Sequence, residues 1–423
     1  MTTEVERVVI VGAGVCGGRA AEALREAGHD GTITLVGDEA HPPYERPPLS
    51  KAAITAQEPA APVTLFADGR LAELDIDVLA GVATATIDRH RRAVTLADGR
   101  SLPFDRLLLA TGARPRPLSV PGGDEALVLR TVADAEEIRT GLSRGGHVVI
   151  VGGGFIGLEL AASARARGCE VTVIEMAPTL MGRVVPAALA AGMATRHEQE
   201  GVALRLDVGV ERIERAGDRV RVVLTDGAFV EGDTVVAGVG ALPNVELAER
   251  AGLAIDNGIA ADRHLRTSDP AIFAAGDCCS FPHPLYGDRR LRLEAWRNAL
   301  DQADVVARNL LGADEPYERV PWFWTDQYEL SLHIAGLPHA ATSTVERERA
   351  DGVVLHFGLD DGCRLVAASG VAPGTAVAKD IRLAELLIAA RAHPDPVALA
   401  DPTVTLKSLL SASRALIRDE GHP

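Results

Sequence analysis

Two stretches of this chain carry the residue types and spacing for one kind of chemistry. Val8-Val9-Ile10-Val11 runs into Gly12-Ala13-Gly14-Val15-Cys16-Gly17, and Val148-Val149-Ile150-Val151 runs into Gly152-Gly153-Gly154-Phe155-Ile156-Gly157. Each is a β-branched apolar run feeding G-x-G-x-x-G. The first glycine allows a tight turn, the second lets a pyrophosphate approach the backbone, and the third lets the next helix pack close to the strand. The anion rests at the helix N-terminus, where unpaired N–H groups and the helix dipole favour negative charge. One such motif is weak, because glycine-rich turns are common. Two, each between a strand pattern and a helical one, imply two dinucleotide sites, and so a flavoprotein that takes a hydride from a nicotinamide.

The elements that must hold these turns repeat as well. The first unit reads as strand 7–11, glycine turn, helix 17–27 and strand 32–36, a βαβ opening. Hairpin strands fill 78–96, and the apolar run Leu107-Leu108-Leu109 ends at Ala110-Thr111-Gly112. The second unit reads as strand 147–151, helix 157–167 and strand 170–174, then a hairpin-rich stretch over 202–224 and the run Val235-Val236-Ala237-Gly238-Val239-Gly240. A return segment, Ile272-Phe273-Ala274-Ala275-Gly276-Asp277, leads to a helix over about 294–311. From Val320 the texture changes: strands over 330–334, 353–357 and 364–369 precede an amphipathic helix over about 377–391, with Ile381, Ala384, Leu387, Ile388 and Arg391 on one face. The expected fold is α/β: two Rossmann-like dinucleotide domains plus a C-terminal α+β domain. The expected boundaries are 1–113 with 245–319, 114–244, and 320–423.

Carboxylates complete the two sites. Asp38, with Glu39 beside it, and Glu175 end the second strand of each unit, where an acid accepts from adenosine ribose hydroxyls. Glu175 would repel a 2′-phosphate, so NADH is expected over NADPH. The first fingerprint, joined by the distant Asp277, suits a cofactor gripped by two sequence-remote pieces, as permanent FAD binding requires. Asp277 would accept from the ribityl hydroxyls. The helix beginning near Glu294 to Trp296 would aim its N–H groups at the pyrimidine end of the flavin. Prolines stiffen the loop His41-Pro42-Pro43-Tyr44-Glu45-Arg46-Pro47-Pro48-Leu49-Ser50-Lys51, so Arg46 and Lys51 are expected to be held in place.

Composition narrows the class. The 423 residues are too many for one core and imply two to three domains. The net charge of −16 argues against nucleic acid as a partner. No apolar run is long enough to span a membrane, and the short polar stretch before the first strand leaves no room for a signal peptide, so a cytoplasmic protein is expected. Lysine occurs only at Lys51, Lys379 and Lys407. Cys16, Cys169, Cys278, Cys279 and Cys363 fit no disulfide framework, zinc site or iron–sulfur site. No C-x-x-C or C-x-x-x-x-C is present, which excludes a dithiol reductase. Cys278-Cys279 reads as two small buried thiols.

The blocks Tyr44-Glu45-Arg46-Pro47-Pro48-Leu49-Ser50-Lys51, Ala110-Thr111-Gly112, Gly152 to Glu159, Gly238-Val239-Gly240 with Pro243-Asn244, Ala275-Gly276-Asp277, Asn298-Ala299 with Gln302, and Val320-Pro321-Trp322-Phe323-Trp324-Thr325-Asp326-Gln327-Tyr328 resemble the FAD-dependent ferredoxin–NAD reductases of bacterial oxygenase systems. The likeness runs nearly end to end and implies a glutathione-reductase-like fold with FAD, NAD and C-terminal domains. It implies that Lys51 lies beside the hydride-accepting nitrogen of the flavin, paired with Glu159. It implies that Arg130 contacts FAD where the chain crosses between domains, that Thr84 passes the adenine by its backbone, and that Trp296 and Trp324 border the isoalloxazine. Cys16 stands where the family has a small or apolar residue and reads as a packed thiol.

Together these readings give an enzyme that moves a hydride from NADH to FAD and single electrons to a separate iron–sulfur ferredoxin, itself serving a Rieske dioxygenase or haem monooxygenase. The chain carries no cluster of its own, which is what demands the partner. An acidic ferredoxin would need a basic patch, and Arg289, Arg290, Arg292 and Arg297 are the candidates. The alternatives are an NADH oxidase or quinone reductase without a ferredoxin, and an NADH-sensing flavoprotein.

Overall fold

The computed structural model describes residues 5–58, 61–182 and 184–420. The chain forms two compact units. The first takes Met1–Arg46, Ala61–Arg114 and Ala241–Arg319; the second takes Pro47–Ala60, Pro115–Gly240 and Val320–Pro423. Ranges 115–240 and 320–423 therefore fall in one compact unit. Among the described residues, no helix is long and apolar enough to cross a membrane.

The first unit is built on a five-stranded parallel sheet in the order Ile272–Ala274, Arg106–Leu109, Arg7–Val11, Thr32–Val36, Ile76–Leu79. Val8, Val9, Ile10, Leu107, Leu108 and Leu109 are all buried, as strands covered on both faces must be. The helices Val15–Glu26 and Trp296–Leu310 pack on each other. The helix predicted over 294–311 starts at Trp296. An antiparallel excursion, Thr84–Asp88, Ala93–Leu96 and Ser101–Pro103, supplies the hairpin predicted over 78–96 from Thr84 onward, while Val78 and Leu79 belong to the parallel strand Ile76–Leu79.

The second unit holds a parallel sheet in the order Val202–Arg205, Glu170–Ile174, His147–Val151, Thr234–Ala237. Its antiparallel excursion, Val210–Ala216, Arg219–Leu224 and Phe229–Gly232, shares a core with it: Val220, Val222 and Leu224 cluster with Val149, Val151 and Ile174. Each such buried aliphatic side chain stabilises by roughly 1.5–3 kcal/mol. The stretch from Val320 forms a five-stranded antiparallel sheet in the order Trp322–Gln327, Leu330–Gly336, Leu365–Pro373, Val354–Leu359, Ser343–Glu348. The helix Ala378–Ala389 lies on it and buries Ile381, Ala384, Leu387 and Ile388. Arg391, expected on that face, is exposed beyond the helix end with φ +51°.

Sequence periodicity missed the helices Val132–Ser143 and Ala187–Gln199 and the strands Trp322–Gln327 and Ser343–Glu348. The first of these did have a local signal. Thr131 accepts from the Asp134 N–H, and Asp134 accepts from the Thr131 N–H, a capping box written in T-x-x-D.

Candidate functional site

The two fingerprints are local duplicates in three dimensions. The Gly12 N–H donates to the Val36 carbonyl at 2.8 Å, and the Gly152 N–H donates to the Ile174 carbonyl at 2.8 Å. Gly12 and Gly152 sit at φ +112° and +110°, where a side chain is strained. A Cβ on Gly12 would lie 2.1 Å from the Ala110 carbonyl oxygen, and one on Gly152 would lie 2.4 Å from that of Gly238. The third glycines are as crowded: a Cβ on Gly17 would meet the Gly12 oxygen at 1.9 Å, and one on Gly157 the Gly152 oxygen at 2.0 Å. The middle glycines differ. A Cβ on Gly14 or on Gly154 would meet nothing within 4 Å. Each is also the N-cap of its helix, with ordinary negative φ and no side-chain cap on the N–H groups of the first turn. Open space in front of bare helix N-termini is what a dinucleotide pyrophosphate needs, so both sites fit one.

The acids break the symmetry. Glu175 directly follows its strand; its Oε2 accepts from the Gly153 N–H at 2.7 Å and its Oε1 from the Ala177 N–H at 2.8 Å. In the first unit the residue at that ladder position is Gly37, whose N–H donates to Leu79 as that of Glu175 does to Arg205. Asp38 is exposed and stands two residues past the strand, so the expectation that both acids end their strands alike is corrected for this one. The reason is volume. A Cβ on Gly37 would lie 2.6 Å from that of Ala13, whereas Gly153 leaves room for the Glu175 side chain. Glu39 has both oxygens committed, accepting from Arg46 at 2.7 Å and from Tyr44 Oη at 2.6 Å. Burial alone would raise its carboxyl, but the Tyr44 bond and the Arg46 charge hold it below the usual range. Arg46 also lies over the Tyr44 ring, 5.1 Å from its centroid, so this cation is held by more than the prolines.

The other expected flavin residues of the first unit are Cys16, Thr84, Asp277 and Trp296. Cys16 is buried, its thiol pushed well up by burial, and a Cβ on Gly276 would lie 3.3 Å from its Sγ. It is a packed thiol. Asp277 lies in the short turn Gly276–Cys278, whose Gly276 N–H donates to Gln302 Oε1 at 2.7 Å. Trp296 opens its helix, which has no side-chain cap, and its Nε1 donates to the half-buried Glu45. Thr84 begins its strand; its Oγ1 is buried without a hydrogen-bond partner among the described residues, so the side chain as well as the backbone has a bond to offer. Cys278 and Cys279 are fully buried, with both thiols raised by burial.

The second unit contains Lys51, Arg130 and Trp324 as well as the second fingerprint. Lys51 Nζ pairs with Glu159 Oε1 at 2.8 Å. Glu159, on the helix Phe155–Ala166, is 5% exposed, so the pair is no surface ion pair. Its Oε1 also accepts from Thr325 Oγ1 at 2.7 Å, and its Oε2 accepts from Ser50 Oγ. Ser50 is pinned in turn, its carbonyl accepting from Ser163 Oγ at 2.7 Å. Arg130 is half-buried just before the capped helix at 132, and its N–H donates to Asp134. Trp324 is half-buried and stacks on Trp322, ring centroids 5.3 Å apart.

Sequence reasoning missed Ser50, Thr325 and Gln327 as members of this cluster. A signal for the last two exists. In Trp322–Gln327 the burial alternates, Thr325 and Gln327 inward and Asp326 outward, which puts two uncharged polar residues on a buried face. The arginine patch changes more. Arg290 pairs with Asp256, Arg292 with Glu294 and Arg297 with Asp301, while the exposed Arg289 side chain has no hydrogen bond or ion pair among the described residues.

Residues 6–303 match the family described as pyridine nucleotide-disulphide oxidoreductase, and residues 322–410 match the family described as reductase C-terminal. The chain is 44% identical to the anthranilate 1,2-dioxygenase system ferredoxin–NAD(+) reductase component of Burkholderia cepacia, over 95% of this chain and 98% of that one. It is 39% identical to rhodocoxin reductase of Rhodococcus erythropolis, over 98% and 96%. It matches the solved covalent putidaredoxin reductase–putidaredoxin complex with a TM-score of 0.90 at 38% identity, covering 97% of this chain and 99% of that one. The chain belongs to the pyridine nucleotide-disulphide oxidoreductases, and among them to the ferredoxin–NAD(+) reductases of oxygenase systems.

Proposed function

We propose that this protein is an NADH-preferring, FAD-dependent reductase that delivers electrons one at a time to a small iron–sulfur protein serving an oxygenase. The observation that carries the reading is the pair of fingerprints whose middle glycines alone face open space at bare helix N-termini, the second closed by Glu175. The relatives named above, one of them solved bound to putidaredoxin, support the partner. When bound, FAD supplies the conversion of a two-electron hydride donor into a one-electron source.

The chain's own residues then have these roles. Gly12, Gly14, Cys16 and Gly17 line the FAD pyrophosphate turn, Asp38 and Thr84 serve its adenosine half, and Asp277 accepts from its ribityl hydroxyls. Arg46 and Arg130 steady the cofactor, and Trp296 and Trp324 flank its ring. Gly152, Gly154 and Gly157 line the NAD turn, and Glu175 accepts from the adenosine ribose and repels a 2′-phosphate. Lys51, fixed by the buried Glu159, serves the hydride-accepting nitrogen. We also read three domains: 1–113 with 245–319, 114–244, and 320–423.

The test is NADH-driven cytochrome c reduction by the holoenzyme, with and without a panel of ferredoxins. The expected protein is yellow, is bleached by NADH, prefers NADH to NADPH, and reduces cytochrome c rapidly only with a ferredoxin present. Equal reduction without ferredoxin, or oxygen uptake that matches NADH use, overturns the partner assignment. For docking, Arg289 is the first of the four arginines to reverse, since the others are committed to internal acids. Arg289→Glu should raise the ferredoxin KM and flatten its salt dependence.

A further inference from the structure

Hydrogen-bond donors converge on Glu159 from a surface turn of the second unit. Thr325 Oγ1 lies 2.7 Å from Glu159 Oε1, Gln327 Nε2 lies 3.1 Å from Thr325 Oγ1, His197 Nε2 lies 2.8 Å from Gln327 Oε1, and Tyr328 Oη lies 3.1 Å from His197 Nδ1. A carboxylate can only accept, and this fixes the direction of every link. Thr325 must donate its single hydroxyl proton to Glu159, so it must accept from the Gln327 amide. The Gln327 oxygen is then left to accept from His197 Nε2–H, and the bare Nδ1 accepts from Tyr328. The chain is a row of dipoles aimed one way, and each bond polarises the next.

Thr325 and His197 are fully buried, and Gln327 and Glu159 nearly so. Burying this many polar side chains is costly unless each is satisfied, and here they satisfy one another. Tyr328 sits at φ +55° in the two-residue turn between the strands Trp322–Gln327 and Leu330–Gly336. That conformation is an outlier for a bulky residue, because such turns favour glycine or asparagine. The ring is held there by His197, edge-on with centroids 5.0 Å apart, and by Arg196, whose guanidinium lies 4.7 Å from the ring centroid and is anchored by Glu329. A strained backbone conformation kept where its side chain closes a buried network points to a use.

We propose that Thr325, Gln327, His197 and Tyr328 form a positioning chain that fixes the Glu159 carboxylate, and through it the Lys51 ammonium, for hydride transfer. The inference rests on the reading that the Lys51–Glu159 pair serves that step. Glu159 Oε1 is shared by Lys51 and Thr325 while Oε2 is held by Ser50, so donors from separate elements leave the carboxylate one orientation. Removing Thr325 frees one edge, and Lys51 follows. Burial holds the His197 imidazole below its ordinary range and pushes the Tyr328 hydroxyl up to about 12, so both keep the protonation states the chain needs near neutral pH.

The experiment measures anaerobic flavin reduction by NADH in stopped flow, with FAD content and melting temperature as controls. Thr325→Val should slow reduction about tenfold with the NADH Kd within about twofold, and Thr325→Ser should restore most of the rate. His197→Phe should slow it about threefold alone and add nothing in the Thr325→Val background, the signature of residues acting through one another. Should His197→Phe fail to fold, Tyr328→Phe loses only the hydroxyl and tests the same chain. A readout independent of turnover is the His197 tautomer in the oxidised holoenzyme. Its ring 15N shifts should report a protonated Nε2 and a bare Nδ1, and Gln327→Leu should abolish that preference. Wild-type reduction by Thr325→Val, additive effects in the double variant, or a protonated Nδ1 would each overturn the chain. Glu159→Gln separates the two readings. If it slows reduction and Thr325→Val does not, the positioning chain alone fails; if it leaves reduction unchanged, the role of the Lys51–Glu159 pair fails and takes the chain with it.

Discussion

The Gly153 N–H donates to Glu175 Oε2 at 2.7 Å, so a backbone group inside the second fingerprint orients the acid that we propose selects the nucleotide. The pairing works because Gly153 has no side chain. A Cβ there would lie 3.2 Å from the Glu175 Cβ and 2.5 Å from Leu180 Cδ2. Gly153→Ala should therefore push Glu175 aside and raise the NADH KM several-fold while kcat holds, the pattern of lost uniform binding. Glu175→Ala should raise the NADH KM about tenfold, equivalent to roughly 1.4 kcal/mol, and narrow the preference over NADPH. Steady-state kinetics with both nucleotides checks each.

The glycines of the first fingerprint separate folding from binding. Gly12→Ala places a Cβ 2.1 Å from the Ala110 carbonyl at φ +112°, so it should lower the melting temperature and the yield of folded protein. Gly14→Ala meets nothing within 4 Å and has an ordinary φ of −79°, so the apoprotein should fold normally. On the proposed assignment its methyl takes the space of the FAD pyrophosphate, and the purified protein should carry little FAD. Circular dichroism melts and flavin absorbance distinguish the two. A Gly14→Ala protein with full FAD would contradict the assignment of the site.

Stability should fall as the pH drops from about 7 to 5. Burial is the first cause that holds His29, His197, His333 and His356 below the ordinary histidine range. For a group whose folded value is depressed, protonation favours the unfolded chain. Its contribution is full above the unfolded value of about 6.5 and is lost as the pH falls through the folded one. Thermal melts across this range should show the decline, and His197→Phe should make it shallower.

Glu45 has the opposite sign. Burial raises its carboxyl and the Trp296 hydrogen bond only partly offsets this. A raised carboxyl is easiest to bury when protonated, so its ionisation costs stability as the pH rises. Glu45→Gln keeps an acceptor for the Trp296 indole without the charge. It should melt at or above the wild-type temperature at pH 8, and that gain should vanish near pH 4. Glu45→Leu should lose stability at both, because it removes the carboxylate acceptor of the Trp296 indole N–H, at a cost of about 1–3 kcal/mol.

What the sequence determined by itself was everything carried by short-range periodicity. A β-branched run, a glycine turn and a helical pattern specify a βαβ start, and their repetition specified two of them; the turn, the helix N-terminus and Glu175 all lie within one such unit. It also brought Lys51 and Glu159 to notice, through resemblance to a family. Tertiary structure decided the rest, because those relationships join residues whose separation in the chain has no period. Glu159 meets Thr325 across 166 positions and His197 meets Gln327 across 130. Local pattern cannot announce that a histidine on a helix and a glutamine on a strand will share a bond. Nor could it show that Ala13 excludes a side chain at position 37 while Gly153 admits one at 175. Close packing, not propensity, decides which of two similar turns has room for an acid.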